Sequence, residues 1–380
     1  MGTGKRSDLE YRALQIFGKE VQVGLDRSEG SRILADEISL YPAGHSDLEP
    51  ELVINHAPLA LNSAGYTNPA SHWTLKDGFI TKSSRGDIYF HLDSAHRLTH
   101  IDFQDQPEKG WWWSQVSRFA NIQFADAIQS IGQTFHELIM VPSVYFDPRR
   151  FLVHASAFEA PSGGIIMIGG TGGVGKTSLA LALCREHGYR FVNDDIAVIS
   201  EEGHVWPNLA YPKIYAYNVE GNLPLKRQIV GQGGWLNQFH WQFHLQLGPD
   251  RVRRRVSPQA LFGTYSPLGG RLQQYILLVR EDRSDLLVEP MEAAQAAHLS
   301  RLVIETEQYA MKNHFLWDAY NRIVNQEVPS LLISDVFDRW ERLARQVFSN
   351  AECLILHVPR QMDHLTFKDR VVSLITTGTF

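Results

Sequence analysis

The N-terminal part of the chain alternates apolar and polar residues over short stretches. From about residue 10 to residue 105, runs such as LVINH, GDIYFHL and LTHIDFQ are separated by Gly, Asn, Asp and Pro. A two-residue period is typical of strands that bury one face, and the separating residues are typical of turns. The pattern predicts a β-rich region of antiparallel strands.

A helical period replaces the strand period at residues 111–140. Apolar residues recur there every three or four positions, as in an amphipathic helix. They are Val116, Phe119, Ala120, Ile122, Phe124, Ala127, Ile128, Ile131, Phe135 and Leu138. Pro142 and Pro148 are expected to end this helix, because proline lacks a backbone N–H. The junction divides the chain into a predicted β-rich N-terminal domain with a long helix, 1–145, and a second domain, 146–380.

The second domain starts with an alternation of strand and helix patterns. RFLVHASAF and GGIIMIGG predict two strands that flank a turn at 161–164, and a helix is expected at about 176–187. YRFVNDDIAVIS then predicts another apolar strand, which two aspartates interrupt. Strand, loop, helix and strand in this order predict a βαβ unit, and so an α/β fold.

The C-terminal part begins with strand patterns and continues with helical ones. QYILLV and LLVEPM predict a hairpin around REDRSD, and the chain after about residue 291 is mostly helical in pattern.

Composition and charge exclude several classes of protein. The 380 residues are 44% hydrophobic and 21% charged, which is typical of a folded globular chain of two or three domains. A formal net charge of -6 argues against nucleic-acid or anionic-membrane partners. The N-terminus lacks a signal-peptide pattern, and the two cysteines lack metal-ligand spacing. We expect a cytoplasmic protein.

A glycine-rich segment between a strand and a helix carries the strongest chemical information. Residues 170–177, GTGGVGKT, match the pattern G-x-x-x-x-G-K-[ST] at each fixed position. Glycines allow backbone N–H groups to surround a polyphosphate, Lys176 can reach its β and γ oxygens, and the Thr177 hydroxyl can bind Mg²⁺. The predicted nucleotide-binding residues are Gly170, Thr171, Gly172, Gly173, Val174, Gly175, Lys176, Thr177 and Ser178.

The glycine-rich segment has two limits as an indicator of function. The same composition can also occur in a strand-to-helix turn that binds no ligand. The motif also occurs in GTPases, transport ATPases, helicases and kinases, so it predicts nucleotide binding without defining the reaction.

Two aspartates and a histidine narrow the chemistry. Asp194 and Asp195 lie 18 and 19 residues after Lys176, at the end of the RFV strand pattern. One of two adjacent carboxylates can hold Mg²⁺ while the other accepts a hydroxyl proton; alternatively, both only cap backbone N–H groups in a turn. His154, 16 residues before Gly170, can orient the base or shift its pKa, although a lone strand histidine is more often a core residue.

In order and spacing, these residues resemble the catalytic domain of the HPr kinase/phosphorylase family. The resemblance covers His154, the loop GGTGGVGKTSLALAL and GYRFVNDD. It implies an HPr-kinase-like P-loop kinase domain that uses ATP and Mg²⁺ to phosphorylate a hydroxyl. By it, Asp194 is the base and His154 and Lys176 share the catalytic site, while Thr177 and Asp195 hold the metal. The roles of the two aspartates can also be exchanged.

The resemblance also bears on partners. Related kinases modify the C-terminal serine of lasso-peptide precursors, and the ATP-dependent phosphoenolpyruvate carboxykinases are distant relatives. Since relatives form rings, a homo-oligomer is allowed. The signature associated with phosphorolysis is missing, because YPKIYAYNVEGNLPLKRQIVGQ stands in its place. The N-terminal 140 residues do not resemble the regulator's own N-terminal domain. We therefore expect neither the reverse activity nor HPr as substrate.

The predicted function is transfer of the γ-phosphoryl group of ATP to a hydroxyl acceptor, with a serine of a peptide or protein as the leading candidate. A sugar or small-molecule hydroxyl is the alternative within the same class. A P-loop ATPase switch without an acceptor and a module that only binds ATP are the rivals from other classes.

Weaker candidates surround this core. Arg253, Arg254 or Arg255 could neutralise phosphate charge, or form a solvated charged stretch. Arg271 could approach the transferring group from a mobile loop. His240 and His244 could bind metal if helical, although an aromatic packing segment or a lid is favoured. Residues 111–113, three tryptophans, could stack on a ligand, although core packing is favoured.

Overall fold

The computed structural model describes residues 4–59, 65–105, 130–219, 222–231, 234–249 and 251–378. Within these ranges the chain is mixed α/β, as the sequence predicts, and it contains two eight-stranded sheets. Among the described helices, none is both long enough and apolar enough to cross a membrane.

The first sheet contains eight strands from the N-terminal part of the chain. They are β1 (Glu10–Ile16), β2 (Lys19–Leu25), β3 (Leu52–His56), β4 (Gly65–Thr67), β5 (His72–Leu75), β6 (Gly78–Ser83), β7 (Gly86–Leu92) and β8 (Leu98–Asp105). Their spatial order is β1-β2-β3-β8-β7-β6-β5-β4. The expectation of purely antiparallel strands is wrong in the centre, because β2, β3 and β8 pair in parallel.

A helix that the sequence pattern did not reveal explains the parallel pairing of β2 with β3. Helix α1 (Glu29–Ile38) connects β2 to β3, and parallel neighbours need such a crossover. Ser28 caps its N-terminus, since the side chain accepts a hydrogen bond from the backbone N–H of Ser31 at 3.1 Å.

The helix expected at 111–140 is described only from residue 130 onward; residues 111–129, including the three tryptophans, lie outside the described ranges. We label the helical segment 131–146 as α2. It comprises an α-helical start, seven π-helical residues, an α-helical turn and a 3₁₀ turn: Ile131–Gln133, Thr134–Met140, Val141–Ser143 and Val144–Phe146.

Only one of the two prolines ends α2. Pro142 lies in the first turn of the second α-helical piece, where a backbone N–H needs no helical partner, so the helix continues past it. Asp147 is extended because Pro148 disfavours a helical conformation in the residue before it. The prediction for Pro142 is wrong, and the prediction for Pro148 is correct.

The second sheet and a two-stranded ribbon contain the remaining strands. They are β9 (Arg150–Glu159), β10 (Ile165–Gly169), β11 (Arg190–Asn193), β12 (Ile196–Ser200), β13 (His204–Trp206), β14 (Lys213–Tyr215), β15 (Arg253–Arg255), β16 (Gly270–Glu281), β17 (Leu287–Pro290) and β18 (Glu352–Pro359). β14 pairs only with β15 in the described chain, and forms the ribbon. The second sheet runs in the order β10-β9-β12-β13-β16, and β16 also pairs with β10, so these five strands form a closed ring. β18 and then β17 extend the sheet beyond β16.

The C-terminal hairpin prediction is wrong. β16 and β17 do not pair with each other, because β18 lies between them, parallel to β16 and antiparallel to β17. The partner strand arrives about 70 residues later in the chain, and local periodicity carries no information about it.

Helices cover the second sheet and follow it. They are α3 (Lys176–Glu186), α4 (Leu223–Gly231), α5 (Gly234–Leu245), α6 (Pro258–Phe262), α7 (Ala293–Glu307), α8 (Tyr309–Val324), α9 (Ile333–Phe348) and α10 (His364–Thr377), with a short 3₁₀ helix at Ala216–Val219. The predicted β10–α3–β11 unit is present, but its two strands lie on opposite sides of β9, which is antiparallel to both.

The two parts of the chain are joined by buried polar contacts as well as by apolar packing. Glu37 of α1 accepts hydrogen bonds from Arg255 of β15, and the two side chains are only 3% and 7% exposed. His136 of α2 lies 3.2 Å from the same carboxylate. Burial opposes ionisation of Glu37, but the positive charge of Arg255 and the contact with His136 outweigh it and lower the pKa to about 2. The boundary between 1–145 and 146–380 stays a prediction.

We predict that Glu37→Gln destabilises the fold by about 3 kcal/mol near pH 7, because the folded pKa of Glu37 lies well below its ordinary value of 4.5. A depressed carboxyl pKa stabilises above pH 4.5 and loses its effect as the pH falls toward 2. The difference between variant and wild type in urea unfolding should therefore shrink across that window. Asp36→Asn, at an exposed position of the same helix, is the matched control. An unfolding difference independent of pH would contradict the assignment.

Candidate functional site

The glycine-rich loop lies where the sequence places it, between the end of β10 and the start of α3. Two glycines explain why side chains are excluded. Gly170 has φ 135°, and a Cβ atom there would lie 2.8 Å from the carbonyl oxygen of Leu278. Gly175 has φ 111°, and a Cβ atom there would collide with the ring of Phe367. Between them, the buried side chain of Val174 anchors the loop in the core.

Lys176 is held inside this loop rather than extended into solvent. Its side chain is buried, and Nζ donates to the carbonyl oxygens of Gly170 at 3.0 Å and Thr171 at 2.9 Å. The third contact of Nζ is Nε2 of His154 at 2.9 Å. All three donors of the ammonium are therefore used within the protein.

His154 reaches the site from β9, where it is paired with Ile196 of β12. It contacts Lys176, and this contact makes Nε2 the acceptor while Nδ1 is buried without a hydrogen-bond partner among the described residues. Burial and the charge of Lys176 lower the pKa of His154. Burial also lowers the pKa of Lys176, although Asp195 and Asp194 oppose that shift.

The two aspartates form a turn between β11 and β12 instead of continuing a strand. Asp195 has φ 64°, a left-handed conformation that aspartate tolerates better than most residues. Its carbonyl accepts from the N–H of Ala155 at 3.0 Å, which fixes the turn against β9. Both carboxylates consequently face the same cleft, which strand alternation alone would not produce.

Asp194 contacts the hydroxyl groups of the site. Ser156 Oγ donates to its Oδ1 at 2.7 Å, and Thr177 Oγ1 lies 3.4 and 3.3 Å from its two oxygens. Burial and the neighbouring charge of Asp195 raise the pKa of Asp194 to about 6, against the effect of these hydrogen bonds and of Lys176.

Asp195 is turned toward the open part of the cleft, where its side chain is 47% exposed. Lys213 Nζ lies 3.9 Å from its Oδ2 and also forms an ion pair with Glu137 of α2. Desolvation opposes ionisation of Asp195, but Lys213, His154 and Lys176 outweigh it and lower the pKa. The two acids thus have different surroundings and opposite pKa shifts.

A cleft of about 690 Å³ brings these groups together. Its walls combine the loop and the two acids with residues from α2, from the junction of α7 and α8, and from the segment that contains β14. The lining includes His154, Gly172, Gly173, Gly175, Lys176, Thr177, Ser178, Asp194 and Asp195, together with Glu137, Tyr211, Lys213, Tyr215, Tyr217, Asn218 and Glu307. The size is typical of a small-molecule site.

The donor atoms in the cleft fit Mg²⁺. One hydroxyl and two carboxylates, from Thr177, Asp194 and Asp195, offer only oxygen ligands, which hard divalent cations prefer. The hydroxyl of Thr177 and the carboxylate of Asp194 are already adjacent.

Sequence reasoning missed several residues of the cleft. Ser156 follows His154 by two positions on the same strand, so the two-residue period could have placed both on one face. Lys213, Glu137 and Glu307 had no local signature, since tertiary packing alone brings them to the cleft.

The weaker candidates are used in other ways. Arg254 donates to Asn237 at 2.9 Å and contacts Nδ1 of His240, and Arg255 binds Glu37, so the predicted solvated stretch is instead largely structural. Arg253 approaches the cleft wall, where it donates to the hydroxyl of Tyr215 at 2.5 Å.

Two further candidates lie away from the cleft lining. Arg271 is on β16 rather than in a loop and does not line the cleft. His240 and His244 are buried on α5 with ring centroids 4.2 Å apart, in agreement with a packing segment.

Comparison with known proteins gives limited information. No protein-family profile matches the chain, and no curated protein matches it. Among solved structures, it is similar to the Hpr(Ser) kinase/phosphatase from Coxiella burnetii, with 12% identity and a TM-score of 0.28 over 60% of this chain and 95% of that chain. This is a distant structural relationship, too loose to carry an argument about activity.

Proposed function

We propose that the protein is an ATP- and Mg²⁺-dependent kinase that transfers the γ-phosphoryl group to a hydroxyl. The observation that carries the proposal is the convergence of Lys176, Thr177 and two acids with opposite pKa shifts in one cleft. Pairs of titratable groups with separated pKa values are typical of sites that move protons.

Binding of the triphosphate is assigned to the loop and Lys176. The ammonium now bonds to two loop carbonyls and His154, and phosphate oxygens can replace these neutral acceptors with charged ones. The start of α3 adds the positive end of a helix to the same place. Ser178, which accepts a hydrogen bond from Asn218 at 3.1 Å, completes the first turn.

The resemblance implies Asp194 as the base, and we propose the exchanged assignment. Asp194 accepts a hydrogen bond from Ser156 and lies beside the hydroxyl of Thr177. This position suits a metal ligand. Burial and the charge of Asp195 raise the pKa of Asp194, and a nearby cation would counteract both effects. Asp195 is the more open carboxylate and faces the cleft, which suits a group that receives a proton from an incoming hydroxyl.

Thr177 and Asp194 would hold Mg²⁺, with Asp195 close by, and a metal there would neutralise part of the phosphate charge. The acceptor oxygen forms a bond to the γ-phosphorus, and the bond from that phosphorus to the β–γ bridging oxygen breaks, which releases ADP. The hydroxyl proton passes to Asp195. Lys176 offsets charge that accumulates on the phosphate oxygens.

A serine of a peptide or protein is our leading acceptor, with a small-molecule or sugar hydroxyl as the alternative. The cleft is large for a triphosphate alone, and Tyr211, Tyr215 and Tyr217 give one wall aromatic surface for an acceptor. The absence of nucleic-acid partners, the cytoplasmic location and the allowed homo-oligomer stay predictions.

Lys176→Ala is expected to weaken binding of Mg-ATP roughly 10- to 100-fold, because a charge-assisted contact with phosphate is lost. Isothermal titration calorimetry of the full chain measures this. Lys226→Ala on α4, outside the cleft lining, should bind as the wild type does. If the Lys176 variant bound Mg-ATP with unchanged affinity, the assignment of triphosphate binding to the loop would be wrong.

The two aspartates should separate in kinetic experiments. Asp195→Asn is expected to keep Mg-ATP binding and to lower turnover by roughly 10²- to 10⁴-fold, because the proton acceptor is lost. Asp194→Asn is expected to raise the Mg²⁺ concentration for half-maximal activity about tenfold. Titration of MgCl₂ at saturating ATP measures both effects.

The opposite result is equally readable. If Asp194→Asn abolishes transfer at any Mg²⁺ concentration while Asp195→Asn stays within a few-fold of wild type, Asp194 is the base, as the resemblance implies.

The reaction itself is tested with ATP labelled in the γ-phosphate. We expect label to move to a serine-containing peptide in a mixed peptide library, and transfer to disappear with Asp195→Asn. Label in a sugar or another small alcohol would support the alternative acceptor. Steady release of inorganic phosphate that no acceptor changes would instead indicate an ATPase and overturn the kinase assignment.

A further inference from the structure

The first sheet has a polar cluster on the face directed away from its core. Phe90 of β7 and Ile101 of β8 are register partners and belong to the hydrophobic core. Side chains alternate along a strand, so the next pair, His91 and His100, lies on the opposite face. Asp102 follows two positions later on that same face.

Three potential ligand atoms converge in this cluster. The rings of His91 and His100 stack with centroids 3.8 Å apart, and Nε2 of His91 lies 3.2 Å from Oδ2 of Asp102. One ligand atom from each residue lies within 4.8 Å of the others. Within the described part of the chain, no other group of three His, Cys, Asp or Glu residues meets this geometry.

A second layer of hydrogen bonds orients the carboxylate. Asn55 of β3 donates to Oδ1 of Asp102 at 2.7 Å, and the hydroxyl of Tyr11 donates to Oδ1 of Asn55 at 2.8 Å. The same Asn55 amide also donates to the carbonyl of Gly4 at 2.8 Å. This arrangement leaves Oδ2 of Asp102 directed at His91. Ligating carboxylates in metal sites are usually fixed in this way.

The charge balance of the cluster favours a cation. Asp102 is only 8% exposed, and among the described residues its ion-pair partner is His91, with no Lys or Arg in contact. A buried carboxylate without a Lys or Arg partner leaves room in the charge balance for a bound cation.

We propose that His91, His100 and Asp102 bind one divalent transition-metal ion. Two imidazoles and one carboxylate match the preference of Zn²⁺, Co²⁺ or Fe²⁺, whereas Mg²⁺ prefers oxygen ligands alone. Three protein ligands leave a coordination position for solvent. None of the three residues lines the phosphate cleft, so this site is distinct from the proposed Mg²⁺ site.

Metal binding requires the rings of His91 and His100 to rotate out of their stack, because a metal ion lies in the plane of each imidazole that binds it. Zn–N distances of about 2.0–2.1 Å place neighbouring ligand atoms roughly 3.4 Å apart in a tetrahedral site. The cluster is wider than this, with ligand atoms up to 4.8 Å apart. The Nδ1 atom of His100 lies 3.1 Å from the Thr99 hydroxyl, within hydrogen-bond distance. Rotation of the ring can therefore bring Nε2 closer to the other two ligand atoms.

The test uses the full chain, stripped with a chelator and titrated with Zn²⁺ against a chromophoric chelator. We expect one tightly bound equivalent, and at least a tenfold weaker affinity in His100→Gln and in Asp102→Asn. His187→Gln, at an exposed histidine far along the chain, controls for surface imidazoles, and Asp194→Asn controls for metal bound in the phosphate cleft. Both controls should retain the equivalent, and excess Mg²⁺ should not displace it.

Co²⁺ gives a readout that does not depend on the variants. One equivalent added to the wild-type chain should produce the visible absorption bands of a four- or five-coordinate ion, which Zn²⁺ then abolishes. Thermal unfolding monitored by circular dichroism checks that the variants fold. Absence of a saturable equivalent in the wild type, or affinity unchanged in both folded ligand variants, would overturn the proposal.

Discussion

The site depends on a buried ammonium that must be neutralised or hydrogen-bonded from every side. Lys176 solves this with two loop carbonyls and one imidazole, so the loop folds back onto its own lysine. A loop whose glycines hold left-handed conformations is thereby kept in the shape that a polyphosphate requires. Burial also lowers the pKa of Lys176, and the nearby acids Asp194 and Asp195 counteract that shift. The position of one cation therefore links the shape of the loop to His154.

The same electrostatics explain why the acid pair has two different members. Two carboxylates in one turn repel each other, so a cation that lies closer to one of them separates their pKa values. Lys213 lies beside Asp195 and lowers its pKa, whereas the pKa of Asp194 is raised. A proton taken up by this turn therefore binds to Asp194. A triphosphate approaching this cleft meets negative charge unless a divalent cation accompanies it. The proposed reaction therefore needs metal and nucleotide together.

How much the sequence could predict depends on how local the cause is. The loop, the helix after it and the aspartate turn are set by neighbouring residues, so pattern and motif were enough to select Lys176 and Asp194, which line one cleft. The same reasoning could have identified Ser156. Lys213 was not, because it enters the cleft only when β14 pairs with β15, about 40 residues away. Strand partners failed for the same reason, as in the parallel centre of the first sheet and in β18 between β16 and β17.

This non-local ribbon links the N-terminal part of the chain to the chemistry. Lys213 of β14 is the register partner of Arg255 of β15, and each makes an ion pair with a glutamate from the first part of the chain. Glu37 of α1 binds Arg255, while Glu137 of α2 binds Lys213, so two helices fix the ribbon from one side. Since Lys213 in turn lowers the pKa of Asp195, the first 145 residues act on the protonation of the proposed base. The N-terminal part is therefore a structural component of the cleft.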